Sequence, residues 1–319
     1  MSAPLLEVRD LRVEVGHGAR RVQAVRGVDL TLARGETLGL VGESGSGKST
    51  LARALMQLLP VHSGTVQLNG QSLTTLSAAR MRPLRRQMQM VFQDPSLNPR
   101  QRAGDMLVEV LHTHDLYPGP QRAERVRALL QMVGLSAEHA PRYPHALSGG
   151  QKQRLGIARA LAVEPQLIVA DEPLSALDVS ISAQIVNLLV RLRDALGLSM
   201  LFISHDLEVV EFLCDRVMVM YMGRVMEVAP VATLFARPTH PYTQALLPAA
   251  PQPRLTAPRP RVALLGEPPS PVAPPSGCVF RTRCPMAQPA CAEQVPVLQT
   301  VSPGHQVACP LVARPGAPS

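Results

Sequence analysis

The chain has 319 residues, 46% of them hydrophobic and 18% charged, with a formal net charge of +8; that length predicts two domains and supplies a sizeable core. No apolar run reaches the roughly 18 residues needed to cross a bilayer, and Met1-Ser2-Ala3-Pro4-Leu5-Leu6, followed at once by Glu7, Arg9 and Asp10, does not read as a signal peptide. The basic balance would suit nucleic acid, but only 3% of residues are aromatic and the arginines are scattered over 80–102, 122–127 and 254–283, so no nucleic-acid partner is expected; an anionic inner leaflet is the simpler account of the charge.

The first informative element is Thr37-Leu38-Gly39-Leu40-Val41, which predicts a short buried strand. It runs into Gly42-Glu43-Ser44-Gly45-Ser46-Gly47-Lys48-Ser49, a complete G-x-x-x-x-G-K-[ST] pattern, then Thr50 and an apolar helical run from Leu51 to Leu59. Glycines at a strand-to-helix turn let backbone N–H groups face phosphate oxygens. Lys48 is then placed for the β- and γ-phosphates and Ser49 for Mg²⁺. Lys48 and Lys152 are the only lysines in a chain otherwise basic through arginine.

Residues Pro120 to Val133 carry helical apolar spacing at Val126, Leu129, Leu130 and Val133. Next comes Leu147-Ser148-Gly149-Gly150-Gln151-Lys152-Gln153-Arg154, where small residues open a helix predicted over Gln151–Leu161 and leave bare N–H groups and a positive dipole end for an anion. Leu167-Ile168-Val169-Ala170 predicts a buried parallel strand ending in Asp171-Glu172-Pro173, and open α/β sheets place ligands at such strand ends. Asp171 is the candidate Mg²⁺ partner and Glu172 the candidate base for an attacking water. A long amphipathic helix over Val179–Leu196 and a core strand over Ser199–Ile203 follow.

With Gln93 in Val91-Phe92-Gln93-Asp94-Pro95, Asp178 in Ser175-Ala176-Leu177-Asp178, and His205 in Ile203-Ser204-His205-Asp206, the first 235 or so residues resemble an ABC-type ATPase subunit. The resemblance implies an α/β P-loop NTPase with a RecA-like core, an antiparallel β subdomain and a helical subdomain that docks a membrane partner. It implies that ATP lies on Gly42, Ser44, Gly45, Gly47, Lys48, Ser49 and Thr50, and that Mg²⁺ is met by Ser49, Gln93 and Asp171. Ser148, Gly149, Gly150 and Gln151 are then the signature that caps a neighbouring chain's nucleotide, Asp178 sits at the dimer interface, and His205 contacts the γ-phosphate. Gln93, Glu172 and His205 are the implied catalytic set. The family usually stacks an early aromatic on adenine, yet no Phe, Tyr or Trp precedes Phe92. His17, Arg20 or Val22 are the candidates to replace it, and weak discrimination among purine nucleotides is expected.

After about Pro230 the composition changes. Arg237-Pro238-Thr239-His240-Pro241-Tyr242-Thr243 leads a short helix to Leu247, residues 251–276 are crowded with proline and read as a linker, and 277–319 form a tail with Cys278, Cys284, Cys291 and Cys309. The boundaries expected are 1–235 for the ATPase domain and 236–319 for the extension. Cys214, the fifth cysteine, reads as a small buried hydrophobe. The tail's spacing lacks the C-x₂-C pairs of structural zinc and suits a [4Fe–4S] cluster better; zinc and free thiols stay open.

His240-Pro241-Tyr242-Thr243 and Pro274-Pro275-Ser276-Gly277-Cys278 resemble the C-terminal extension of ATPases from oligopeptide and dipeptide importers. That implies an ATPase subunit powering peptide import from the cytoplasmic face of the inner membrane. Its implied partners are a second ATPase chain, in a homo- or heterodimer, two membrane permeases and an extracytoplasmic substrate-binding protein. A nickel or other small-solute importer and a soluble ABC ATPase are the alternatives.

Overall fold

The computed structural model describes residues 3–16, 18, 21–247 and 266–312. In chain order these form β1 (Leu6–Val15), β2 (Val22–Leu32), β3 (Thr37–Val41), α1 (Lys48–Leu55), β4 (Ser63–Leu68), β5 (Gln71–Ser72), α2 (Ala78–Arg85) and β6 (Met88–Val91). There follow α3 (Ala103–Thr113), α4 (Pro120–Met132), α5 (Gly149–Leu161), β7 (Leu167–Asp171), α6 (Val179–Leu196), β8 (Ser199–Ile203) and α7 (Leu207–Leu213). The last elements are β9 (Arg216–Tyr221), β10 (Arg224–Pro230), α8 (Val231–Ala236), α9 (Pro241–Leu246), α10 (Ala290–Glu293), β11 (Gln299–Ser302) and β12 (His305–Val307). They divide into two compact units, one of Met1–Ala33, Thr37–Thr74 and Ser204–Ser319, the other of Arg34–Glu36 and Thr75–Ile203.

In the first unit an antiparallel sheet has the order β2-β1-β4-β5. Its register places Leu6 opposite Leu32, Val8 opposite Leu30, Leu11 opposite Val28 and Val13 opposite Val25, and all eight side chains are buried. Between Val8 and Leu11 the pairing shifts and Asp10 turns to φ 42°. That irregularity keeps both apolar pairs on one face, where strict alternation would have turned the second pair outward. The unit also contains the strand order β11-β12-β10-β9-β3, with β3 parallel to β9. Every residue of β3 is buried, so its unbroken apolar run reflects cover on both faces. The tail joins this sheet: β12 pairs antiparallel with β10 through Glu227 and Val307.

In the second unit β6, β7 and β8 are parallel, in the order β8-β7-β6, and β7 and β8 are buried throughout. Asp178 caps α6 by accepting from the Ile181 amide, and Gly197 ends the helix at φ 62° with its N–H on the Arg193 carbonyl. Those are the usual start and stop of a helix. Pro120 opens α4 at its first turn, where no amide hydrogen is needed, and Val126, Leu129 and Leu130 bury one face.

The helix after the P-loop differs from the expectation of Leu51 to Leu59. It starts at Lys48 and ends at Leu55, because Gln57 adopts φ 54° and breaks the turn. Residues 251–265 of the expected linker lie outside the described residues. Among the described residues no helix is long and apolar enough to cross a membrane.

Candidate functional site

The P-loop lies in the first unit, between β3 and α1. Gly42 has φ 150°, and a Cβ there would sit 2.1 Å from the Met220 carbonyl oxygen; at Gly47, φ 102°, it would sit 2.3 Å from the Ala24 carbonyl oxygen. Only glycine fits these two positions, because main chain from β9 and β2 presses directly on the loop. Lys48 is 5% exposed, and its Nζ donates to the Gly42 carbonyl at 2.8 Å, the Glu43 carbonyl at 3.0 Å and Ser46 Oγ at 3.4 Å. The ammonium is therefore held in the hollow of its own loop. Ser44 and Gly45 are exposed at the loop's tip, while Ser49 and Thr50 are half-buried in the first turn of α1. His205, also in this unit, is exposed; beside it Asp206 caps α7 by accepting from the amides of Glu208 and Val209.

The second unit holds the remaining motifs. Asp171 closes β7 and is buried; it is in register with Ile203 of β8. Glu172 follows with its N–H on the Ile203 carbonyl at 3.0 Å and a left-handed φ of 49°. A non-glycine residue in that region carries strain on the order of 1 kcal/mol or more, and such residues cluster at functional sites. Gln93 is exposed beyond β6. The loop after it is held by α5, because Gln153 Nε2 donates to the Phe92 carbonyl at 3.2 Å and Arg159 Nη2 to the Pro95 carbonyl at 2.8 Å. Gly156 lets the loop approach, since a Cβ there would stand 2.8 Å from the Pro95 Cβ. Gln153 and Arg159 were not legible as loop clamps, because a sequence pattern does not reveal partners some sixty positions away.

The signature begins α5. Ser148 is the cap residue: its Oγ accepts from the Gln151 amide at 3.3 Å and its own amide donates to Gln151 Oε1 at 2.9 Å. The expected run of bare N–H groups is thus partly taken up by a capping box, because Gln at the third helical position reaches back to the cap. Gly149 and Gly150 pack against α6 and the turn before it, where added Cβ atoms would stand 3.4 Å from Leu177 Cδ2 and 2.6 Å from Ile181 Cγ2. Asp178 is fully exposed, and hydrogen bonds from the Ile181 amide and the Ser180 hydroxyl hold its carboxyl below the usual range.

The tail returns to the P-loop within the first unit. Glu43 donates its main-chain N–H to the Tyr242 hydroxyl at 2.8 Å, and its carboxylate receives Arg283 Nη1 at 2.7 Å and Nη2 at 3.2 Å. Tyr221, Tyr242 and Phe280 form a ring cluster with centroids 4.7 to 5.4 Å apart. Glu227, fully buried, accepts from the amides of Thr239 and His240 at 2.9 Å and meets His305 Nε2 at 2.7 Å.

The five cysteines are free thiols. Cys214 is buried as expected. Burial raises Cys278 to about 11, with Cys291, Cys309 and Cys284 adding to the rise. Among the described residues no group of three or more His, Cys, Asp or Glu could hold a metal ion, so the set Cys278, Cys284, Cys291 and Cys309 does not form a metal centre in this conformation. His17 and Arg20, candidates for the base, lie outside the described residues, and Val22 is half-buried at the start of β2.

A P-loop after a buried strand and an acidic pair closing another define a P-loop ATPase. Residues 25–175 match the ABC transporter family, and residues 226–291 match the oligopeptide/dipeptide transporter C-terminal region. The chain is 53% identical over 308 residues to a peptide import ATP-binding protein of Brucella ovis, covering 96% of this chain and 97% of that one. It is 49% identical over 319 residues to the oligopeptide transport ATP-binding protein AppF of Bacillus subtilis, covering 96% and 97%. Among solved structures it is similar to cbiO1 from Clostridium perfringens, part of the ABC transporter complex cbiONQ, with a TM-score of 0.66, 29% identity, and 74% and 92% of the two chains covered. The ATP-binding cassette MJ0796, in a dimeric post-hydrolysis state with ADP and Pi, gives a TM-score of 0.64 at 29% identity over 71% and 98%. The chain belongs to the ABC transporter family, as an ATPase subunit with the peptide-transporter C-terminal region.

Proposed function

We propose that this chain hydrolyses ATP to drive an importer of di- and oligopeptides. The observation that carries the reading is the union in one chain of the complete P-loop at Gly42–Ser49 with a peptide-transporter C-terminal region. ATP phosphates meet the loop amides and the N-terminal end of α1, and Lys48 donates to the β- and γ-phosphates. Ser49, Gln93 and Asp171 offer the hydroxyl, amide and carboxylate oxygens that suit Mg²⁺; when bound, that ion neutralises phosphate charge. Glu172 accepts the proton of the attacking water, and His205 steadies the γ-phosphate. Ser148, Gly149, Gly150 and Gln151 serve the nucleotide of a second ATPase chain, with Asp178 at the interface between the two.

Residues 1–235 act as the ATPase domain and 236–319 as its extension in this reading. Two permeases are the membrane partners, an extracytoplasmic binding protein delivers peptide, and the chain works at the cytoplasmic face. Support for a permease dock comes from the second unit, where Val108 and Tyr143 are 38% and 37% exposed. A cavity of about 440 Å³ there is lined by Ser96, Asn98, Met106, Val110 and Arg159, beside the loop that carries Gln93. Affinity purification of the full chain from its host tests the reading. Two permeases in the eluate, with hydrolysis stimulated by peptide-loaded binding protein, are expected; ribosomes in their place, or stimulation by a nickel-loaded binding protein alone, would overturn it.

For the tail, we propose that Cys278, Cys284, Cys291 and Cys309 hold a [4Fe–4S] cluster; four cysteines within one short segment, none of them in a C-x₂-C pair, support it. A cluster spreads its four ligands around a larger body than one ion does. Its role would be to staple a small lobe with little core of its own. Anaerobic purification with about four iron and four sulfide per chain is expected, and colourless protein with stoichiometric zinc would refute it.

A further inference from the structure

Glu43 places a carboxylate on the phosphate loop itself. It is the second residue of the P-loop, and its carbonyl accepts from Lys48 Nζ at 3.0 Å. A carboxylate at that point repels phosphate unless it is neutralised. The neutralising group comes from 240 positions away: Arg283 forks onto both carboxylate oxygens at 2.7 and 3.2 Å. Its side chain is only 6% exposed, and its guanidinium lies 5.9 Å from the Tyr221 ring centroid. The fork is therefore held from behind by an aromatic wall, which favours the bidentate pair over a mobile surface contact. A second link fixes the same residue, because the fully buried Tyr242 takes the Glu43 amide on its hydroxyl. Arg283 lies one position before Cys284 and three after Phe280, so the folded tail sets where this guanidinium stands.

We propose that Arg283 is a positioning residue of the nucleotide site: by neutralising Glu43 and holding it with Tyr242, the C-terminal lobe sets the affinity of the P-loop for ATP. This rests on Gly42–Ser49 being the nucleotide loop. Arg283 acts through Glu43. The tail then serves the ATPase directly, and a chain whose tail is displaced binds ATP more weakly with its motifs intact.

The test uses full-length protein, ATP titrations by calorimetry and steady-state hydrolysis. R283A, and R283M, which keeps an apolar stem against Tyr221, should each weaken ATP binding and raise KM about tenfold, with kcat within about threefold. Adding E43Q to either variant should restore most of the affinity, because the uncompensated carboxylate is gone. A merely structural staple would lower Tm without a KM change and would not be rescued by E43Q. Unchanged affinity in folded R283M, or failure of E43Q to rescue it, overturns the proposal. K48A separates the two levels: if it binds ATP normally the nucleotide-loop reading itself fails, whereas lost binding in K48A with normal binding in R283M sinks only the role of Arg283.

Discussion

Ser148 and Gln151 satisfy each other across the first turn of α5, with the Gln151 amide on Ser148 Oγ at 3.3 Å and the Ser148 amide on Gln151 Oε1 at 2.9 Å. The pair makes the start of this helix rigid and keeps Gly149 and Gly150 at its tip, free of side chains that would block an approaching phosphate. Ser148→Arg fills that approach with a long cation and removes the cap. Hydrolysis should fall at least about a hundredfold while ATP binding stays within about threefold, because in the proposed function the signature serves the partner's nucleotide and Lys48 serves this chain's own. Equal losses of binding and turnover would place the signature in the chain's own site.

Glu172 stands at φ 49° just past buried Asp171, a strained position that fits a group held for chemistry. Glu172→Gln keeps the shape and removes the proposed base. It should bind ATP at the normal level and turn over at least about a hundredfold more slowly. Substantial steady-state hydrolysis by this variant in single-turnover and steady-state assays would remove Glu172 from that role.

Gly42→Ala tests the loop's geometry without removing a polar group. Its Cβ would lie 2.1 Å from the Met220 carbonyl oxygen, so main chain must move. A loss of about 3 kcal/mol is expected, a fall in Tm of about 6–12 °C in thermal unfolding. Gly45, where a Cβ would meet nothing within 4 Å but φ is 78°, should cost less as alanine, about 1 kcal/mol from backbone strain alone.

How far this was readable in advance varies with the range of the contacts. The strand Thr37–Val41, the helix Val179–Leu196 and the strand Ser199–Ile203 appear with the boundaries expected, because periodicity, caps and apolar runs are local signals. The P-loop helix is shorter than its apolar pattern, since leucines at 58 and 59 extend the pattern while Gln57 leaves helical φ. The partners of Glu43 were not readable: Tyr242 and Arg283 lie 199 and 240 positions away, and only the packing of β9, α9 and the tail brings them in. The pairing of β12 with β10 is likewise a tertiary fact. The tail's sequence, rich in proline and cysteine, carries too little alternation to announce it.

His240 gives a pH prediction. It is buried, and burial lowers its pKa to about 4, with a main-chain hydrogen bond at Ala308 opposing. Its Nδ1 accepts from the Tyr242 amide at 3.0 Å and its own amide donates to Glu227 Oε2 at 2.9 Å; the Phe280 ring lies 5.9 Å away. Unfolded chain takes up the proton near pH 6.5 and folded chain only near 4, so the unfolded state binds more protons within that window. Stability should fall as pH drops from 6.5 to 4, by about 3 kcal/mol from this residue. His240→Asn, which keeps an acceptor for the Tyr242 amide, should flatten that part of the pH profile in chemical denaturation; an unchanged slope would assign the pH dependence to other groups.

In the proposed function, hydrolysis at Lys48 and Glu172 drives peptide across a membrane. The most direct measurement is uptake of labelled oligopeptide by proteoliposomes that hold the two permeases, the second ATPase and this chain, with the binding protein outside and ATP inside. Uptake should require ATP and be lost in both Lys48→Ala and Glu172→Gln, with ATP binding retained in the second. Uptake that survives Glu172→Gln, or a reconstituted complex that hydrolyses ATP without moving peptide, would contradict the proposed function.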